Sequence, residues 1–324
     1  MTVSIAIQHL TKTYRTLRKT GDVWRDLFAR TYEYHTAIDD LSVTIPEGEL
    51  IGLVGPNGAG KTTLMKMLSG ILLPTSGSIT ALGYTPFEKN IAFLKQIAFV
   101  MGQRNQLIWD LPARDSFELN RVMYDIPLSD YQTRLKELIQ LLDCEGIIDQ
   151  PLNTVSLGQR MRLELVGSLL HAPRMLFLDE PTLGLDVVAQ GTIREFLRTY
   201  QRRLQPTIIF TSHYMRDVAE LADRLLLIDR GTIRYDGTVG KLRKHFSHDM
   251  KEVRLELSKS LTERDKKLFD GYRYHYTHPL MIIRVKALDI PTLLSRITQK
   301  VDYRDITVTD PSIEDIMRSA FQQA

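Results

Sequence analysis

The stretch Gly55-Pro56-Asn57-Gly58-Ala59-Gly60-Lys61-Thr62 has the spacing of a phosphate-binding loop, a glycine and four residues followed by Gly-Lys-Thr. Its glycines let backbone N–H groups turn inward and approach phosphate oxygens closely. A helix starting near Lys61 points its positive dipole end at the same anion. Lys61 is placed to reach β- and γ-phosphates, the Thr62 hydroxyl to ligate Mg²⁺, and Thr63 to meet the α-phosphate. By itself this loop indicates only a nucleoside triphosphate, since kinases, GTPases and motor ATPases share it. No Asn-Lys-x-Asp guanine-reading motif occurs. A second chemical feature is Met175-Leu176-Phe177-Leu178-Asp179-Glu180-Pro181-Thr182, an apolar run ending in two adjacent acids. At the carboxyl end of a parallel strand one acid can hold Mg²⁺ through its water shell. The next can activate an attacking water. Asp179 is therefore read as the metal group and Glu180 as the base.

These residues need a sheet to position them. Leu50–Val54, Met175–Leu178 and Thr207–Phe210 are short apolar runs of the kind buried on both faces of a parallel sheet. Residues 3–10 and 41–45 alternate apolar and polar side chains and read as further strands. Helix-like stretches lie at Leu64–Ile71 and over 115–145. Strands alternating with helices imply an α/β fold, a mostly parallel sheet with helices on its faces. Near residue 245 the alternation stops. The expected division is 1–245 and 246–324, the second part a small α+β module of strand, helix, two strands, helix, strand and a last helix at Ile313–Phe321.

Composition agrees with a folded chain: 324 residues, 25% charged, 43% hydrophobic. No run approaches the ~18 apolar residues of a membrane span. Met1-Thr2-Val3-Ser4-Ile5 does not read as a signal peptide. Cys144 is the single cysteine and fits a reducing compartment. A net charge of +3 argues against nucleic-acid binding by bulk charge. Residues 12–35 hold six basic side chains (Lys12, Arg15, Arg18, Lys19, Arg25, Arg30) against three acids (Asp22, Asp26, Glu33), so this segment carries the whole excess.

Ser156 and Gln159 in Val155-Ser156-Leu157-Gly158-Gln159-Arg160 form a capping box at the head of an apolar-periodic helix. The same stretch resembles the signature motif of ABC-type ATPases, with Leu157 and Val155 in place of a glycine and a leucine. The chain is similar to the nucleotide-binding subunit of an ABC transporter over residues 3–240. In order, Tyr14 resembles the aromatic that stacks on adenine, with Tyr32 and Tyr34 as alternatives. Gln103 resembles the Q-loop glutamine, Gly184-Leu185-Asp186 the D-loop, and His213 in Thr211-Ser212-His213 the switch histidine.

The resemblance implies a P-loop NTPase fold with a RecA-like core, a helical subdomain at about 104–172 and an insert at about 16–36. It implies ATP and Mg²⁺ as ligands, with Thr62, Asp179 and Gln103 at the metal. Two copies sandwich two ATP molecules, so that Ser156, Leu157, Gly158 and Gln159 meet the partner's nucleotide. Glu180 and His213 set the attacking water. Gln103 couples the site to membrane permeases, two different ones in the subgroup this wording resembles, and Arg104, Trp109 and Asp110 sit where such a partner docks. The location implied is the cytoplasmic face of the membrane. Export, with drugs or toxic xenobiotics as cargo, is the leading expectation. Import, lipid or polysaccharide export, and ribosome or DNA work are the alternatives. Trp24, Leu27 and Phe28 share one helical face within the insert and read as an interfacial amphipathic helix.

Overall fold

The computed structural model describes residues 3–18, 31–102, 105–242, 249–311, 313 and 315–317. Gln103, Arg104, the Trp24–Phe28 face and most of the expected last helix lie outside them. The chain divides into two compact units, Met1–Thr238 and Val239–Ala324.

In the first unit β1 (Val3–Arg18) and β2 (Thr31–Pro46) form a long antiparallel hairpin. β3 (Leu50–Val54) leads into the glycine-rich loop, and α1 (Lys61–Leu68) follows it. β4 (Ser76–Ala81), the short α2 (Ile91–Leu94) and β5 (Ile97–Met101) come next. A helical stretch contains α3 (Ala113–Met123), α4 (Leu128–Leu141) and α5 (Leu157–Leu169). Then come β6 (Met175–Asp179), α6 (Val187–Leu204), β7 (Thr207–Thr211), α7 (Met215–Leu221), β8 (Arg224–Asp229) and β9 (Thr232–Gly237).

The main sheet has the order β5-β6-β7-β3-β8-β9, parallel except for β9. Its central strands are buried along their length, as their unbroken apolar runs require. A second, antiparallel sheet has the order β2-β1-β4. Ile5, Ile7, Ile38 and Ile45 from this sheet, Leu64, Met65 and Leu68 from α1, and Leu53 and Phe177 from the main sheet form one buried cluster. The helix that follows the phosphate loop is thereby fixed between two sheets.

The insert differs from its sequence reading. Its described parts are strands, which the sequence reading left unassigned: pairing runs on through Tyr14↔His35 and Leu17↔Tyr32 to Arg18↔Thr31. Threonine and tyrosine on both arms favour extended backbone, and this outweighs the weak apolar alternation. The expected helix over 115–145 is two helices, broken at Asp125-Ile126-Pro127, where proline ends the pattern.

The second unit contains β10 (Met250–Leu257), α8 (Glu263–Lys266), β11 (Arg273–Thr277), β12 (Leu280–Lys286), α9 (Ile290–Lys300) and β13 (Tyr303–Thr309). The sheet order β11-β12-β10-β13, antiparallel throughout, makes this a split β-α-β arrangement. Val253, Leu255, Met281 and Ile283 alternate inward to meet Phe269, Leu293 and Ile297.

Candidate nucleotide site

The loop after β3 lies at the carboxyl end of the central strand, where open α/β sheets place their ligands. Gly60 takes φ +104°, and a Cβ there would meet the Ala37 carbonyl at 2.3 Å, so only glycine fits. Lys61 is buried and donates from Nζ to the carbonyls of Gly55 (2.7 Å) and Pro56 (3.0 Å). Burial lowers its pKa, and the nearby carboxylates of Glu180 and Asp179 oppose that shift.

A cavity of about 350 Å³ opens over this loop. Asn57, Gly58, Ala59, Gly60, Lys61, Thr62 and Thr63 line it together with Tyr14, His35, Ala37 and Glu180. Tyr32 and Tyr34 are not part of its lining. The Tyr14 hydroxyl lies 3.4 Å from Thr63 Oγ1. His35 is the cross-strand partner of Tyr14; the sequence pattern did not single it out, because the pairing depends on a long hairpin.

The two acids end β6 beside α1. Thr62 Oγ1 donates to Asp179 Oδ2 at 2.9 Å. Thr211, the last residue of β7, donates from Oγ1 to Asp179 Oδ1 (2.8 Å) and accepts from Glu180 N (2.9 Å). Glu180 has φ +57°, uncommon for a residue with a Cβ. That turn aims its carboxylate toward the loop after β7, where His213 Nε2 lies 2.8 Å from Glu180 Oε1. Gly102 N donates to the Asp179 carbonyl at 2.9 Å, and a Cβ on Gly102 would meet the Glu180 carbonyl at 2.4 Å. Backbone thus passes close under the acids just before Gln103. The hydroxyl of Thr62 and the carboxylate of Asp179 form a hard oxygen pair suited to Mg²⁺, which takes few protein ligands alongside phosphate oxygens.

Ser156 and Gln159 form the capping box of α5: Ser156 Oγ accepts from Gln159 N at 3.3 Å, and Ser156 N donates to Gln159 Oε1 at 2.8 Å. Leu157 is 39% exposed, and its Cδ2 lies 3.2 Å from where a Cβ on Gly184 would be. Gly158 packs against Ala189, where an added Cβ would be at 3.0 Å. Asp186 caps α6 by accepting from Ala189 N at 2.8 Å. Signature and D-loop segments are therefore neighbours in one chain, while neither Ser156 nor Asp186 lines the cavity over the phosphate loop. Trp109 is 42% exposed, with the Arg160 guanidinium 5.5 Å from its ring centre, so it is not a buried anchor.

Sequence reasoning overlooked Glu164. It is buried on α5 and accepts from Gln106 N (3.0 Å to Oε1), and from Leu107 N at 3.4 Å. Burial raises its pKa, and the two backbone donors oppose this. It ties the signature helix to the chain just beyond Gln103. An acid inside an apolar helical pattern was the only trace of this in the sequence.

Comparison with known proteins agrees with this geometry. Residues 38–183 match the family described as ABC transporter. The ABC transporter ATP-binding protein NatA of Bacillus subtilis (strain 168) is 30% identical over 206 residues, 64% of this chain and 83% of that protein. The bacitracin transport ATP-binding protein BcrA of Bacillus licheniformis is 28% identical over 309 residues, 93% of this chain and 95% of that one, so the likeness extends into the second unit. Among solved structures, an ATP-binding subunit of an ABC transporter aligns with TM-score 0.62 at 22% identity, covering 75% of this chain and 93% of its own. A dimeric ATP-binding cassette in a post-hydrolysis state bound to ADP and Pi gives TM-score 0.61 at 21% identity, over 72% and 98%. At such identity these two speak for the fold alone. With the NatA likeness spanning most of that relative, the chain belongs to the ABC transporter family and carries its ATP-binding domain.

Proposed function

We propose that this chain is the ATP-hydrolysing subunit of a membrane exporter. The observation that carries the reading is the 2.8 Å contact of His213 with Glu180, which lines the same cavity as the phosphate loop. In this reading the adenine lies on the Tyr14 ring, and the phosphates lie on the loop N–H groups with Lys61 at the β- and γ-positions. Glu180 takes the proton of the attacking water. His213 holds Glu180 and the γ-phosphate in register. Thr62 and Asp179, with Gln103, would hold Mg²⁺, which supplies charge neutralisation to the phosphates when bound. Ser156 and Gly158, away from the cavity of their own chain, serve a second copy: the α5 N-terminus offers N–H donors to that copy's γ-phosphate.

The exporter assignment draws on relatives whose names include bacitracin transport and daunorubicin/doxorubicin resistance. Toxic small molecules are the cargo class we infer. No helix among the described residues is long and apolar enough to cross a membrane, and in this reading translocation runs through membrane partners. Exposed Trp109, Leu111, Leu119, Val122 and Met123 in the helical region supply an apolar surface for one.

Glu180→Gln should slow hydrolysis by about 10²- to 10⁴-fold while ATP binding persists, because only the proton acceptor is lost. ATP turnover and equilibrium nucleotide binding measured side by side test this. Wild-type turnover in that variant would remove Glu180 as the base. Lys61→Ala should weaken ATP binding itself.

A further inference from the structure

One carboxylate joins the two loops that carry Glu180 and His213. Asp217, in α7, is 1% exposed. Its Oδ2 accepts from Thr182 Oγ1 at 2.6 Å and from Ser212 Oγ at 2.8 Å. Its Oδ1 accepts from Arg194 Nη1 at 2.7 Å. Thr182 lies two residues after Glu180, Ser212 directly precedes His213, and Arg194 sits on α6, the helix that begins after Asp186. Thr182, Ser212 and Arg194 are all buried. The hydroxyl of Ser212 also accepts from Tyr214 N at 2.9 Å, which folds the backbone on either side of His213 around one oxygen. Arg194 is braced on its other side by Glu220, whose Oε2 lies 2.7 Å from Nε.

An ionised carboxylate with so little access to water is strongly disfavoured without donors, so its three hydrogen bonds are retained rather than exchanged for solvent. Both hydroxyls converge on the same oxygen. The loop after β6 and the loop after β7 are thereby held at a fixed separation. The other oxygen is anchored to an 18-residue helix, a stiff support. None of these four side chains lines the cavity over the phosphate loop, so they act on chemistry only through the residues next to them.

We propose that Asp217 is a positioning residue for ATP hydrolysis, clamping the loops that carry Glu180 and His213 onto α6 through Thr182, Ser212 and Arg194. This rests on the reading of Glu180 and His213 as the pair that sets the water. The clamp holds their 2.8 Å contact in place. Loss of either hydroxyl loosens one loop relative to the other and lowers kcat, while the phosphate loop keeps its grip on ATP.

The test uses Thr182→Val and Ser212→Ala in the full chain, since both keep the buried ion pair and remove one donor each. ATP turnover, ATP binding and thermal melting are measured for each. The expected result is a fall in kcat of about 5- to 20-fold, with the ATP dissociation constant changed by less than about 2-fold, and recovery in Thr182→Ser. Purely structural damage would act independently of His213, so the deciding measurement is a cycle with His213→Ala. Thr182→Val placed on His213→Ala should lower kcat by less than about a further 2-fold, because the contact being positioned is already gone. Effects that multiply in full, or wild-type kcat in both single variants beside a slow His213→Ala, would overturn the clamp. Wild-type turnover in His213→Ala itself would instead overturn the reading of the pair, and the clamp with it.

Discussion

At the residue scale, the acids depend on a hydroxyl that neither belongs to the phosphate loop nor carries charge. Thr211 is fully buried and makes both available bonds, donating to Asp179 and accepting from the Glu180 amide. Thr211→Val keeps the shape, strands the Glu180 amide and leaves Asp179 with Thr62 as its hydroxyl donor. Leaving buried polar groups unpaired costs about 1–3 kcal/mol, so this variant should unfold at lower urea and turn over ATP more slowly. Thr211→Ser should retain both properties, and a valine variant as stable as wild type would show that the hydroxyl is dispensable. The loop residues, the two acids and the capping serine could be read from the sequence because their chemistry is local: short spacings on one strand end or one helix start. Thr211 and Asp217 could not. Their partners lie 32 and 35 residues away for the Asp179 and Thr182 contacts, and only the strand order of the sheet brings them together. Cys144 was read for its redox setting alone. Burial raises its thiol pKa to about 12 and leaves it 0% exposed, so alkylation in native buffer should be far slower than in denaturant.

At the element scale, α5 and the turn after it hold the helical region against the sheet. His171 follows α5, stacks on Tyr124 with ring centres 3.9 Å apart, and places Nε2 3.0 Å from the Ile97 carbonyl on β5. Burial lowers its pKa from the usual 6.5 to about 4. The unfolded chain therefore binds this proton more readily than the native one. Stability from this site is complete above pH 6.5 and declines as the pH falls toward 4. The full loss is on the order of 3 kcal/mol. His171→Gln should flatten the slope of unfolding free energy between those pH values, measured by urea titration across the acid range. An unchanged slope would assign it to other groups. Neither this contact nor the Glu164 bond was visible in the sequence, since an isolated titratable residue in an apolar helix does not reveal its distant partner. The strands that flank residues 19–30 escaped the sequence reading for a different reason. These polar arms carry little apolar alternation, and strand pairing there rests on β-branched and aromatic side chains meeting across the hairpin.

At the scale of the whole molecule, charge and hydrophobicity are divided unevenly. The excess of +3 falls within residues 12–35, whose described strands leave Leu17, Tyr32 and Tyr34 exposed beside Arg15. The end of the β/α alternation near residue 245 was legible as a loss of periodicity, and the structure puts the division after Thr238. The strand order of the second unit was not legible. Alternation shows which face of β10 is buried, whereas placing β12 and β13 on either side of it depends on how two crossovers pack. That unit has a core of its own. Leu255 and Ile283 are fully buried in it, and no residue of that core belongs to the cluster around α1. Truncating a buried leucine costs about 2–5 kcal/mol through lost transfer energy and the cavity left behind. Leu255→Ala should therefore lower the melting transition of residues 239–324 while leaving ATP affinity unchanged. Saturating ATP should raise the transition of the first unit, because ligand binding stabilises only the fold that binds it. Calorimetry with and without ATP separates the two effects. A loss of ATP affinity in Leu255→Ala would show that nucleotide binding depends on the accessory core.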